Sequence, residues 1–147
     1  MRSYLSRLAL VVVVSGCSDS IDHNQVLAAK RAMEFAQVAF VEQDIPSAHA
    51  RLSDAAQRYV SVDNIRDTLS RLHPNGYPSR VVATEYQLIP TETKALYIYL
   101  FGEGSGQTYS YRLTMERTRA SDYKVSAFDV GYGLRYSGSP LRKTLKK

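Results

Sequence analysis

The chain has one cysteine, no tryptophan and 3 histidines in 147 residues. With only Cys17, no disulfide framework can form, and a metal site built on several thiolates is excluded. His23, His49 and His73 are too scattered for a metal-ligand spacing, so no metal is expected. Nothing in the sequence calls for a cofactor. The aliphatic run Leu8–Val14 is far short of the about 20 residues that span a bilayer as a helix. No glycine-rich phosphate loop opens a helix, because Gly102-Glu103-Gly104-Ser105-Gly106 lies between two strand patterns and reads as a hairpin turn. No G-x-S-x-G elbow or Cys/His pair supports hydrolysis.

Charge is also less one-sided than its total. The formal net charge is +5, but Arg2 and Arg7 sit in the first ten residues and Arg142, Lys143, Lys146 and Lys147 in the last six. The block between Asp22 and Leu141 is neutral. A nucleic-acid face needs basic residues clustered within the fold, so no nucleic-acid partner is expected.

What is present begins with an address. Arg2 and Arg7 precede Leu8–Val14, no acidic residue occurs before Asp19, and small residues follow the apolar run. This is the layout of a secretory signal. Val14-Ser15-Gly16-Cys17 resembles a bacterial lipobox. The resemblance implies cleavage before Cys17 and attachment of acyl chains to it, so membrane lipid is the first expected partner. Ser18, rather than aspartate, after the cysteine favours the outer membrane, facing the periplasm. The expected divisions are a signal peptide 1–16, a lipidated cysteine and tether 17–24, a domain 25–136 and a basic tail 137–147. That tail could touch anionic lipid or stay solvated. The 131 residues after the signal suffice for one core.

Apolar periodicity divides the domain in two. From Gln25 to about Gln43, Val26, Ala29, Met33, Ala36 and Phe40 follow helical spacing, widened by Ala28, Ala32, Phe35 and Ala39. Asp22 or Asn24 can cap it. Asp44-Ile45-Pro46 opens a second helix to about Val60, with Ala48, Leu52, Ala55 and Tyr59 on one face. Ser61 caps a third, ended by His73-Pro74-Asn75-Gly76-Tyr77-Pro78. The period then becomes two, over Arg80–Ile89, Ala95–Phe101, Gln107–Arg117 and Tyr123–Leu134. Short connections imply an antiparallel meander. The expected fold is α+β, with N-terminal helices packed on a curved four-stranded antiparallel sheet.

That order, together with Phe40-Val41-Glu42-Gln43-Asp44-Ile45-Pro46-Ser47-Ala48 and the closing Asp122–Val130 strand, resembles the nuclear transport factor 2-like (cystatin-like) superfamily, especially its small bacterial lipoproteins. The resemblance implies a cone in which a bent sheet wraps the helices and can leave a pocket. It implies no activity, because that fold hosts enzymes, binders and adaptors.

Register proposes candidate residues. Pairing Met115 with Val125 sets Tyr111 opposite Asp129 on the inner face, and Phe101 opposite Thr108 brings Leu96, Ile98 and Leu100 to the same side. Desolvation there would raise the Asp129 pKa unless it were hydrogen-bonded. Tyr111, Asp129 and His49 form the candidate pocket. The resemblance implies that such groups transfer protons in the superfamily's isomerases and dehydratases; packing without chemistry is the plainer alternative. Tyr97, Tyr99, Phe101, Arg112 and Phe128 form the candidate outer face, suited to a protein partner or a homodimer. A small apolar ligand in the cone is the other expectation. The chain is expected to bind rather than catalyse.

Overall fold

The computed structural model describes residues 22–131 and 141–146. Cys17, the expected tether before Asp22, the last residues of the expected fourth strand and the boundary at 136/137 lie outside the described residues. The first element, α1, is Gln25–Ala36, capped by Asn24, whose side-chain oxygen accepts the Leu27 N–H at 2.9 Å. It buries Ala28, Ala29, Ala32, Phe35 and Ala36. Four alanines among these five let the helix axis lie close to the sheet. A π-helical turn, Gln37–Val41, continues it, closed by the Glu42 N–H donating to the Gln37 carbonyl at 2.9 Å. The wider turn carries Ala39 and Phe40 inward, both fully buried. Gln43, in the left-handed region at φ 56°, ends it.

The expected single second helix is two. Ile45–Ala50 is α2 and Asp54–Tyr59 is α3. Between them the chain pairs with a strand instead. The Ser53 N–H donates to the Val125 carbonyl at 2.7 Å, and the Val125 N–H donates to the Arg51 carbonyl at 3.1 Å. Leu52 is thereby buried, and Ser53 recaps the chain through the Ala56 N–H. The expected common face breaks there: Ala48 and Leu52 are buried, Ala55 is exposed and Tyr59 is 84% exposed. The last helix, α4, spans Val62–Leu72 with Ser61 as its cap, and buries Ile65 and Leu69.

Among the described residues five strands follow, one more than expected: β1 Arg80–Leu88, β2 Ala95–Gly104, β3 Gln107–Arg117, β4 Tyr123–Val130 and β5 Arg142–Thr144. The sheet is antiparallel in the order β4-β3-β2-β1-β5. The short β5 comes from the stretch read as a basic tail, and pairs Tyr86 with Lys143. The β2–β3 hairpin turns on Ser105-Gly106, both with positive φ, and pairs Phe101 with Ser110 rather than Thr108. A shift of two residues keeps every side chain on its expected face, so Leu96, Ile98, Leu100, Tyr109, Tyr111 and Leu113 are all buried. Together with the α1 alanines, Phe35 and Phe40 they form one core.

The β3–β4 pairing departs further. Met115 faces Val125 and Glu116 faces Lys124 as expected, but a bulge lies between Thr114 and Met115. Beyond it Leu113 faces Phe128, Arg112 faces Asp129 and Tyr111 faces Val130. One extra residue on β4 reverses which side its later residues take.

Candidate functional site

Tyr111 is fully buried, and its partner is His73 rather than Asp129. His73 follows α4 and turns back onto it. Its Nδ1 lies 2.9 Å from the Leu69 carbonyl, which can only accept, so Nδ1 carries the proton. Nε2, 2.8 Å from the Tyr111 hydroxyl, then accepts from it. Phe40 stacks on Tyr111 with centroids 4.3 Å apart, and Tyr77 stacks on His73 at 4.5 Å. Burial pushes the His73 pKa down, partly opposed by the Leu69 hydrogen bond. Burial pushes the Tyr111 hydroxyl up, with Tyr109 and Tyr77 adding to it. Both groups are thus held neutral in a packed aromatic cluster.

A second pair of the same kind sits at the other end of the helical layer. His23 Nδ1 is 3.0 Å from the Tyr123 hydroxyl, which also accepts the Asn24 N–H at 3.0 Å. Burial lowers the His23 pKa as well.

The expected pocket trio does not assemble. The bulge turns Asp129 to the outer face, where Arg112 Nη2 donates to its Oδ2 at 2.8 Å. His49 Nε2 lies 2.8 Å from the Val60 carbonyl and ties α2 to the end of α3. The same reversal corrects Phe128. It leaves the outer face and packs on Phe35 and Phe40, at 5.7 and 6.0 Å between centroids.

The remaining outer aromatics are partly roofed by the chain itself. The Arg112 guanidinium lies 4.7 Å over Tyr97, and that of Arg142 lies 3.5 Å over Tyr99. The Tyr99 hydroxyl donates to Gln87 Oε1 at 2.9 Å, and Tyr99 is only 6% exposed. Phe101 is half-buried.

A large concave feature among the described residues lies elsewhere. A groove of about 980 Å³ runs between α1, the start of β1 and the residues after β5. Its α1 wall carries Val26, Ala29 and Met33, and its opposite wall Val81, Ala83 and Leu145. Val26 is 66% exposed and Met33 41%, high values for residues of that size. Neither Tyr111, Asp129 nor His49 lines it. Sequence reading placed Val26 and Met33 in the core stripe. The usable signal was that α1 is apolar over more of its circumference than one sheet contact needs.

Among the described residues no group of three or more His, Cys, Asp or Glu side chains is placed to hold a metal ion. No helix among them is long and apolar enough to cross a membrane. No protein-family model, no curated protein and no solved structure matches this chain.

Proposed function

We propose that the chain is a lipid-anchored periplasmic lipoprotein, held at the outer membrane through acylated Cys17, that acts as a non-catalytic binding module for a small apolar ligand. The observation that carries the binding role is the groove of about 980 Å³ between α1 and β1, with Val26 and Met33 open to it. Ligand sites are concave and mostly apolar with a few polar groups, and this groove has that make-up. The anchor rests on Val14-Ser15-Gly16-Cys17 after a basic start and a short apolar run. The order of helices first and hairpins after is that of the nuclear transport factor 2-like superfamily, which supports placing the domain there. Proton transfer by Asp129 and Tyr111 loses its geometry, since the two side chains lie on opposite faces of the sheet.

Native mass spectrometry of the protein extracted gently from its own membrane tests both halves of the reading. An acylated mass with a discrete small adduct, absent in Met33→Glu, is the expected result. Cys17→Ala should leave the chain unacylated. A normal acylated product from Cys17→Ala overturns the anchor. An adduct unchanged by Met33→Glu overturns the groove.

A further inference from the structure

Resting on the reading of the groove as a ligand site, we infer that its ligand is a single-chain fatty carboxylate, its alkyl chain along α1 and its head group at the basic rim.

The α1 wall is one helical stripe. Val26, Ala29 and Met33 recur at three- and four-residue intervals, and Gln37 and Val38 of the π-helical turn extend the wall. From position 26 to 37 this is about 16 Å of helix, long enough to lie along an extended alkyl chain. The π-helical turn is an independent sign, since such turns cluster at functional sites.

Charge decides the head group. Lys30, Arg51 and Lys146 line the groove, against one carboxylate, Glu34. Glu34 is already held by Arg31, whose Nη1 lies 2.9 Å from its Oε2. Arg51 donates from Nη1 to the Ser47 carbonyl, a neutral partner. Among the described residues Lys30 and Lys146 stand in no ion pair. An apolar trough with unpaired cations on its rim is complementary to an anion carrying an alkyl chain.

The test uses the full chain carrying Cys17→Ser, which cannot be acylated, titrated calorimetrically with hexadecanoate, hexadecanol and lysophosphatidylglycerol. Hexadecanoate should bind at least tenfold tighter than hexadecanol and tighter than the lysophospholipid. Shortening the fatty acid should weaken binding about fourfold per methylene lost. Lys30→Gln with Lys146→Gln, both at exposed positions, should remove the preference for the acid and leave the alcohol unaffected. Met33→Glu should abolish both. Equal binding of acid and alcohol overturns the head-group inference while the groove reading stands. Tighter binding of the lysophospholipid assigns the head group to phosphate and overturns the carboxylate. No binding of any compound overturns inference and reading together. Binding to Cys17→Ser but none to the acylated protein assigns the groove to the chain's own anchor and overturns the free fatty acid.

Discussion

The Tyr111 hydroxyl donates to His73 Nε2 across 2.8 Å, joining the middle of β3 to the end of α4 inside the aromatic core. Because His73 Nδ1 is committed to the Leu69 carbonyl, the imidazole bridges helix and sheet with both nitrogens used.

Tyr111→Phe should therefore destabilise the fold by about 1–3 kcal/mol, the cost of leaving a buried acceptor unpaired. Adding His73→Leu to it should cost less than the sum of the two single changes, since the partners form one unit. Urea denaturation of the three variants measures the coupling; strict additivity would refute it.

Acid should loosen the molecule through both histidines. His73 and His23 have pKa values lowered below 6.5 in the fold, so the unfolded chain takes up protons first as pH falls. Their contribution is complete above about pH 6.5 and declines below it, toward the lowered folded values. Thermal melts from pH 8 to 5 should show Tm falling below about pH 6.5, with a shallower fall in His73→Gln. An unchanged slope in that variant would show that His73 is not a source.

Gly104 should resist any side chain. A Cβ there would come 2.5 Å from the Ser79 nitrogen and 2.8 Å from Pro78 Cα, both backbone. Gly104→Ala should cost about 1–3 kcal/mol through forced backbone shifts. Gly106→Ala meets no atom within 4 Å but must hold φ at +73°, and should cost about 1 kcal/mol. Comparing the two melts separates crowding from conformation.

Two adjacent β4 residues should behave oppositely. Asp129→Asn removes a half-exposed ion pair with Arg112 and should change stability by less than about 1 kcal/mol. Phe128→Ala removes a ring packed on Phe35 and Phe40 and should cost up to about 3 kcal/mol. A larger loss from Asp129→Asn than from Phe128→Ala would contradict the bulged register.

Local signals in the sequence were dependable where one residue type answers one need. Asn24 and Ser61 cap helices as their side chains suggest, and the inner face of β2 follows from alternation alone. His73 was legible as the first residue of the stretch that ends the third helix. Its second bond, to Tyr111, was not, because it depends on how α4 crosses the sheet. The bulge at Thr114/Met115 was hidden, since alternation on β4 reads equally well in either phase. That single residue displaced Asp129 and Phe128 together. The second helix broke at Leu52 because a strand competed for its backbone, a contact with Val125 far along the chain. The groove was hidden for a related reason. Val26 and Met33 carry the spacing of core residues, and only the position of β1 decides that they stay open.

The Tyr123 hydroxyl also sets how the domain meets mechanical load. His23 and the Asn24 backbone both converge on that one oxygen, immediately before α1 begins. Any pull delivered through the residues preceding Asp22 reaches this knot before it reaches the helix. Tyr123 belongs to β4, whose ladder with β3 shares the tension over many hydrogen bonds. Force entering there would divide between β4 and α1, the helix that forms one wall of the groove.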